Sequence, residues 1–311
     1  MSEPQLASTV LMIRPVRFES NPLTAESNQF MEDPEAPPRE QQAAAILEFD
    51  GLVTVLRNAG VAVIVVEDTR EPHTPDSIFP NNWLSTHADG RVVLYPMEAE
   101  NRRTERRADI VDYLSFELGF LVTEVVDLTA HEHSGHFLEG TGSMVLDRVN
   151  RVAYACSSSR THFDPLADFA RRMNYEVVSF DAVDNDGVPI YHTNVLMSLG
   201  EEFVAICEES IPRDEQREAV LRRLRESGRE IVSLSYDQLH AFAGNMLELE
   251  NTSGEHVIAM SQQALEALDE TQLLKLRSYG RVVSAPIDNI ERSAGGSVRC
   301  MLAEVHLQAR E

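Results

Sequence analysis

AGGSVRCML, at residues 294–302, passes from two glycines through Cys300 into an apolar run. Four other segments make a similar polar-to-apolar transition: DSIFPNNWL (76–84), HFLEGTGSMVL (136–146), PIYHTNVLM (189–197) and HAFAGNMLEL (240–249). Aligning the residue just before each apolar pair places five positions in register, namely Asn82, Ser143, Asn194, Asn245 and Cys300. They follow one another at intervals of 61, 51, 51 and 55 residues, which indicates an internal repeat.

The intervals between these positions share one order of elements. After Ser143 come the strand pattern RVAYAC, the helical pattern DPLADFARRM and the strand pattern EVVSF. The same order follows Asn82, Asn194 and Asn245, with apolar residues at helical spacing in each middle part. After Asn245 this middle part is QQALEALDETQLLKLRSYG (262–280), which predicts one continuous helix.

The two ends of the chain complete a fifth unit. TVLMI, FDGLVTVLRNAG and VAVIVVED supply a strand, a helix and a strand, and the C-terminal CMLAEVHL supplies the remaining strand. Five ββαβ units cannot bury their apolar faces singly, but they can do so packed in a ring. We therefore predict an α/β fold in one domain over residues 1–311, a five-bladed α/β-propeller with pseudo-fivefold symmetry. Residues 16–45 predict a long loop before the first helix, of a length typical of functional covers or of disordered segments.

Composition excludes several classes of protein. The 311 residues include 51 acidic and 27 basic ones, and the formal net charge of −24 argues against nucleic-acid binding. No run approaches the roughly 18 apolar residues that suggest a membrane span. The N-terminus lacks a signal-peptide pattern, and three cysteines do not make a disulfide framework. We expect a cytoplasmic protein without nucleic-acid or membrane partners.

Three side chains with complementary chemistry occupy equivalent places in different units. Cys300 follows two glycines that let the backbone approach a ligand, and a cysteine becomes a nucleophile as its thiolate. His192 and Glu139 provide an imidazole and a carboxylate at matching points, and a buried carboxylate needs a partner. Cys156 and Cys207 lie in plain apolar strands and are interpreted as buried hydrophobic residues.

Along the chain, PDSIFPNN, FLEGTG, YHTN and GGSVRC follow one another in the order of the motifs of the pentein superfamily, which they resemble. That superfamily includes arginine deiminase, dimethylarginine dimethylaminohydrolase and amidinotransferases, and the resemblance spans nearly the whole chain. STVLMIRP, PDSIFPNNW, LYPM and NRRTERR are similar to the citrulline-utilisation hydrolases within it. The resemblance implies a fivefold α/β-propeller and a Cys-His-Glu site.

The resemblance also implies the catalytic roles. Cys300 would attack the central carbon of the substrate's terminal group and form a covalent intermediate. His192 would protonate the departing amine and then activate the hydrolytic water. Glu139 would accept hydrogen bonds from the terminal nitrogens of the substrate.

Substrate-binding roles follow from the same resemblance. Asp76 would bind the reacting group from another side, and Arg160 would hold the α-carboxylate bidentately. Arg102 is a second candidate for this clamp, although Arg103 fits nearly as well. The alternative interpretation of either residue is a solvated charge at the start of a helix.

The chain departs from its arginine-acting relatives at two positions. Asn82 and Asn194 stand where those relatives usually have Asp, and Glu139-Gly140-Thr141-Gly142 replaces Glu-Gly-Gly-Asp. A guanidinium needs carboxylates around it once desolvated, whereas an amide can both donate to and accept from a neutral ureido group. The substitutions therefore favour citrulline, hydrolysed to ornithine, ammonia and carbon dioxide. Arginine, dimethylarginine, amidino transfer and a non-catalytic binding protein remain as alternatives.

Two other kinds of site, for a metal ion and for a nucleotide, compete with this interpretation of the sequence. HEHSGHF contains His131, His133 and His136, but this spacing does not place three imidazoles on one helix face. The sequence has no GxGxxG and no GxxxxGK[ST] motif. We expect no cofactor and no metal, a small amino acid as the bound molecule, and leave a homo-oligomer open.

Overall fold

Five three-stranded sheets form the framework of the computed structural model, which describes residues 3–32 and 37–310. Their strands are β1 (Thr9–Arg14), β2 (Ala62–Glu67), β3 (Leu84–Thr86), β4 (Arg91–Leu94), β5 (Glu124–Asp127), β6 (Val145–Asp147), β7 (Val152–Cys156), β8 (Glu176–Phe180), β9 (Met197–Leu199), β10 (Phe203–Ile206), β11 (Glu230–Ser233), β12 (Leu247–Glu250), β13 (His256–Ser261), β14 (Arg281–Ala285) and β15 (Ala303–Glu304).

Every sheet follows the same plan. Its middle strand pairs antiparallel with one neighbour and parallel with the other, as β7 does with β6 and β8. In the fifth sheet β1 pairs antiparallel with β15, in the register Val10↔Glu304, and parallel with β2. This pairing confirms the prediction that strands from the two ends of the chain belong to the same repeat unit.

Helices connect the parallel strands and supply short turns between units. They are α1 (Pro38–Asn58), α2 (Ala108–Asp112), α3 (Gly140–Ser143), α4 (Phe163–Met173), α5 (Thr193–Leu196), α6 (Asp214–Glu226), α7 (Tyr236–His240), α8 (Gln262–Ala267), α9 (Glu270–Tyr279), α10 (Asp288–Ala294) and α11 (Val298–Met301). A π-helical segment at Tyr113–Glu117 directly continues α2. None of the helices in the described ranges combines the length and the apolar character needed to cross a membrane.

Each crossover helix buries one apolar face against its own sheet. In α4 the residues Leu166, Phe169 and Met173 are buried, at the three- and four-residue spacing of one helix face. They pack in a cluster with Ala153 and Ala155 of β7. The apolar residues whose spacing predicted this helix are thus the residues that pack against the sheet.

Two predictions about element boundaries were wrong. Residues 262–280 form two helices, because Asp269 caps α9: its side chain accepts from the Gln272 backbone N–H while the Gln272 side chain accepts from the Asp269 backbone N–H. The loop predicted at 16–45 is shorter, because α1 already begins at Pro38. Residues 33–36 of that predicted loop lie outside the described residues.

The aligned positions lie in or beside single helical turns just before the first strand of each unit. Ser143, Asn194 and Cys300 belong to α3, α5 and α11, and Asn82 ends the turn Pro80–Asn82. The turn α3 contacts both α5 and Pro80–Asn82, and α11 also contacts Pro80–Asn82. The repeated turns therefore bring polar side chains of different units together.

Candidate active site

A narrow cavity lies where these turns meet. Six of the eight predicted site residues line it: Asp76, Asn82, Arg102, Arg160, His192 and Cys300. The other two, Glu139 and Asn194, lie directly behind the wall and hydrogen-bond to His192 and Cys300. The repeat register and the family resemblance together thus named side chains that the fold brings close to one another.

The sulfur of Cys300 lies between two amide groups. Asn194 Nδ2 and Asn245 Nδ2 each donate to Cys300 Sγ at 3.4 Å, and the thiol is only 3% exposed. The backbone N–H of Cys300 donates to the Ser297 carbonyl at 3.0 Å. Two neutral N–H donors can hydrogen-bond a thiolate without adding a charge to the cavity.

His192 and Glu139 form a buried pair beside the cavity. His192 Nε2 lies 2.9 Å from Glu139 Oε2. Burial lowers the pKa of His192 to about 4, against the opposing effect of Glu139, so the imidazole is neutral at pH 7. With Glu139 ionised, Nε2 carries the hydrogen that it donates to the carboxylate, and Nδ1 is left as the basic nitrogen.

Glu139 remains ionised although it is fully buried. Burial alone would raise the pKa of this carboxyl, but the Arg160 guanidinium, the His192 hydrogen bond and Arg102 together lower it below its usual range. The nearest nitrogens of Arg160 and Arg102 lie 3.6 and 3.7 Å from Oε2. Its other oxygen, Oε1, accepts the backbone N–H of Glu98 at 3.1 Å. A charged anchor is therefore available to orient His192.

Glycine at position 142 permits this close assembly. A Cβ at Gly142 would lie 2.4 Å from Asn82 Nδ2 and 2.7 Å from His192 Nδ1. The neighbouring Gly140 has a φ of +48°, and a Cβ there would lie 2.3 Å from the Asn81 carbonyl oxygen. The departure at Gly142 from the Glu-Gly-Gly-Asp pattern thus has a steric reason, since this geometry has no room for an aspartate.

Arg160 is held by the segment that covers the cavity, residues 15–32, here called the covering loop. Its Nη2 donates to the Thr24 carbonyl at 3.1 Å and to Ser27 Oγ at 2.8 Å, and Nε donates to the same hydroxyl at 3.1 Å. Its guanidinium also stacks over the Tyr191 ring at 4.8 Å from the centroid. A substrate carboxylate would have to replace the covering-loop oxygens on this guanidinium.

Asp76 also contacts the covering loop. Its Oδ2 accepts from Asn21 Nδ2 at 2.7 Å and from the Thr24 hydroxyl at 3.4 Å. Among the described residues its Oδ1 has no hydrogen-bond partner, and neither have Asn82 Nδ2 and Asn194 Oδ1. Such buried unpaired atoms are costly, so a ligand that pairs them gains affinity.

Arg102, rather than Arg103, faces the cavity. Arg102 donates to both oxygens of Glu105 and, through Nη1, to Asn82 Oδ1 at 3.0 Å. Arg103 instead donates to the backbone carbonyls of Met97 and Glu98, outside the cavity. The guanidinium of Arg102 is thus already engaged, and it fixes the orientation of Asn82.

Comparison with known proteins identifies the family. A family model described as N,N dimethylarginine dimethylhydrolase, eukaryotic, matches residues 14–307. The chain belongs to this family. It is accordingly a member of the pentein superfamily, as the sequence motifs predicted. No curated protein is significantly similar in sequence.

Solved structures share the fold of this dimethylarginine dimethylhydrolase family member. ArgZ, an arginine dihydrolase from the ornithine-ammonia cycle in cyanobacteria, superposes with a TM-score of 0.72 at 20% identity over 95% of this chain. The dimethylarginine dimethylaminohydrolase bound to S-methyl-L-thiocitrulline gives a TM-score of 0.65 at 13% identity over 96% of this chain and 99% of its own. The present chain covers 40% of full-length ArgZ and 97% of its separate N-terminal domain in another structure.

The other reactive side chains of this family member lie away from the cavity. Cys156 and Cys207 are fully buried in apolar surroundings, and burial raises their thiol pKa values to about 12 and about 11. His131 pairs with Asp168 at 3.4 Å, while His136 stacks on His162. The donor atoms of His136, His162 and Asp164 lie within 4.8 Å of one another. His131 and His136 of HEHSGHF thus have different partners.

Several residues of the site were not assigned from the sequence. Asn245 was in the alignment, but its hydrogen bond to Cys300 was not foreseen. Glu105 holds Arg102, and Asn21 holds Asp76. The repeat register was a usable signal for Asn245 only, because the other two contacts depend on how distant segments pack.

Proposed function

We propose that this family member is a cysteine hydrolase that attacks the terminal ureido or guanidino carbon of an arginine-like amino acid, with citrulline as the preferred substrate. The observation that carries the proposal is the position of Cys300 Sγ, at 3.4 Å from two side-chain amides, beside the buried His192–Glu139 pair. A nucleophile, a base and its orienting carboxylate are the parts that covalent hydrolysis requires.

In the proposed reaction the thiolate of Cys300 adds to the ureido carbon of citrulline. The carbon–nitrogen bond to the side chain then breaks, and neutral His192, which takes up the thiol proton of Cys300 as the sulfur attacks, passes this proton to the departing amine, which releases ornithine. A carbamoyl group remains on the sulfur. His192 next takes a proton from water, the hydroxide displaces the sulfur, and the resulting carbamate decomposes to ammonia and carbon dioxide.

The charges around the cavity support a neutral reacting group. Glu139 already faces two guanidinium groups at 3.6 and 3.7 Å, which offset its charge. Near the sulfur, the amides of Asn194 and Asn245 provide donors where a carboxylate would repel the thiolate. Asn82 lines the cavity, and its Nδ2, which has no hydrogen-bond partner among the described residues, offers a donor to the oxygen of a ureido group.

A guanidino substrate is the second candidate, and one observation favours it. Asp76 Oδ1 is buried without a hydrogen-bond partner, and Asp76 lines the cavity. A guanidinium of arginine or dimethylarginine would satisfy this oxygen. The names of the matched family and of ArgZ point in the same direction. In this case ammonia or dimethylamine would leave first, and citrulline would be the first amino-acid product.

We also propose that the five sheets close into a five-bladed ring within one domain. Contacts of β15 with β3, of β6 with β9 and of β9 with β12 support the idea. A relationship to the citrulline-utilisation hydrolases, a cytoplasmic location and the oligomeric state stay predictions.

Product identification tests the function. The purified protein is incubated separately with citrulline, arginine and dimethylarginine, with Cys300→Ser as the inactive control. Ornithine from citrulline, absent with the variant, is the expected result. Citrulline accumulating from arginine or dimethylarginine would replace the neutral-substrate proposal with the second candidate. Transfer of an amidino group to an added amine would contradict hydrolysis, and so would the absence of any turnover.

A further inference from the structure

A second buried acid lies close to the proposed nucleophile but outside the reaction described above. Glu291, in α10, is 2% exposed, and its Oε1 accepts a hydrogen bond from Ser297 Oγ at 2.5 Å. The Ser261 hydroxyl also faces this carboxyl, so within the described ranges its polar side-chain partners are two neutral hydroxyl groups. Burying a carboxyl with so few partners is costly. Such a residue needs a reason beyond packing.

The hydroxyl of Ser297 is turned away from its usual partner. Ser297 is the N-cap of α11, the helical turn that carries Cys300, and a serine at this place ordinarily accepts a hydrogen bond from its own helix. Here it makes no such bond and donates to Glu291 instead. Its backbone carbonyl meanwhile accepts the Cys300 N–H at 3.0 Å. Glu291 thus controls the residue on which the Cys300 turn is built.

The turn between the two helices, residues 295–297, is fixed on its other sides as well. Tyr191 donates through its hydroxyl to the Gly295 carbonyl, and Asn28 Nδ2 donates to the Ala294 carbonyl at 3.0 Å. Gly295 has a φ of +61°, and its N–H donates to the Glu291 carbonyl at 2.8 Å. Glu291 therefore holds the turn through both its backbone and its side chain.

We infer that Glu291 is a positioning residue for Cys300, which acts by holding the Ser297 hydroxyl away from α11 and so fixing the direction of the thiol. The inference rests on the proposed role of Cys300 as nucleophile. Ionised Glu291 can only accept from Ser297, whereas protonated Glu291 can donate to it and release the hydroxyl towards the helix. The hold on the turn thus depends on the protonation of Glu291.

Several charged or titratable groups face Glu291. Asp288 lies one turn earlier in α10, and Glu48 of α1 accepts the backbone N–H groups of Asn289 and Ile290 at the start of α10. The Ser261 hydroxyl faces the same carboxyl, and Arg292, Glu32 and His240 share the adjoining cavity. Burial, followed by Asp288 and Glu48, raises the pKa of Glu291 to about 7 despite the Ser297 hydrogen bond. The protonation change therefore falls near neutral pH.

The test is the rate at which iodoacetamide alkylates Cys300, because this rate needs no substrate. Glu291→Ala, the near-isosteric Glu291→Gln, Ser297→Ala and the double variant Glu291→Gln/Ser297→Ala are compared with the wild type from pH 5 to pH 9. Glu48→Gln is the matched control, since Glu48 holds the same helix without touching Ser297. The Cys300→Ser variant gives the background rate at which Cys156 and Cys207 are alkylated.

We expect Glu291→Ala and Ser297→Ala to slow alkylation about tenfold above pH 7, by loss of a hydrogen bond to a charged group. The ratio of the wild-type to the Glu291→Gln rate should rise through about pH 7, and the double variant should be no slower than Ser297→Ala. The inference would be overturned if the ratio of the wild-type to the Glu291→Gln alkylation rate did not change with pH. It would also be overturned if the Glu291→Gln and Ser297→Ala effects were additive, or if Glu48→Gln slowed alkylation as much as Glu291→Gln does. Absence of turnover with these alkylation results intact would overturn only the proposed function.

Discussion

Replacing Asn194 by aspartate tests whether neutral amides are needed around the nucleophile. Asn194 Nδ2 lies 3.4 Å from Cys300 Sγ, so Asn194→Asp exchanges a donor for a carboxylate of nearly the same shape. At this distance, and with an effective dielectric constant of about 20, a carboxylate and a thiolate repel each other by about 5 kcal/mol. Since each 1.36 kcal/mol corresponds to a factor of ten, thiolate formation becomes roughly five-thousandfold less favourable.

The consequence for turnover depends on the substrate. Citrulline brings no positive charge, so its kcat/KM should fall by about a thousandfold or more, because the repulsion acts in full. Arginine carries a guanidinium that offsets the introduced carboxylate, and its kcat/KM should fall less. The ratio of the two kcat/KM values therefore moves towards arginine.

Steady-state kinetics with both substrates, together with iodoacetamide alkylation, measure these effects. Asn185→Asp adds the same charge at an exposed position and serves as the control. Circular dichroism and thermal unfolding establish that the Asn194→Asp protein is folded. A folded variant that alkylates and turns over citrulline within about threefold of the wild type would refute the electrostatic reasoning.

Three further substitutions follow from the site geometry. Glu139→Gln removes the charge that orients His192, and should lower kcat by about 10²- to 10³-fold with little change in KM, as steady-state kinetics will measure. Arg160→Lys replaces a planar fork by a point charge, and should raise the KM for an amino-acid substrate about tenfold while changing kcat less, with an α-decarboxylated substrate as the insensitive control. Gly142→Ala places a Cβ 2.4 Å from Asn82 Nδ2 and should lower both the melting temperature and kcat, whereas alanine at the uncrowded Gly51 should lower kcat little.

The pH dependence of activity follows from the buried histidine. Because burial lowers the pKa of His192 to about 4, the imidazole stays neutral over the whole neutral range. The rate should therefore not decline as pH falls from 8 to 6 through protonation of free His192. A decline that disappears in Glu291→Gln would instead report Glu291, whose pKa lies at about 7.

The repeated architecture could be predicted because its signal recurs. Each unit carries the same strand, helix and strand order, and the polar residue before each first strand occupies an equivalent place. Cys300, His192 and Asn194 therefore came together from register alone, without knowledge of any contact. Asp269, by contrast, carried a readable capping pattern with Gln272, yet the apolar periodicity on both sides favoured one continuous helix.

The remaining contacts depend on tertiary packing, which the sequence order does not encode. Asn21 reaches Asp76, 55 residues away, and Ser27 reaches Arg160, 133 residues away. Arg102 was predicted as a clamp for substrate, but its partner Glu105 occupies both of its donors on that side. The spacing of residues in the sequence does not show whether an arginine guanidinium is free to bind a ligand or is already paired with a carboxylate of the protein.

The most direct test of the central claim is the mass of the Cys300 peptide after rapid acid quenching during turnover. After turnover of citrulline, Cys300 should carry a carbamoyl group. This group should be absent when acid is added before the substrate, and it should be absent in the Cys300→Ser variant. Turnover of citrulline without any adduct on Cys300, or with full activity retained in Cys300→Ser, would contradict nucleophilic catalysis by this residue.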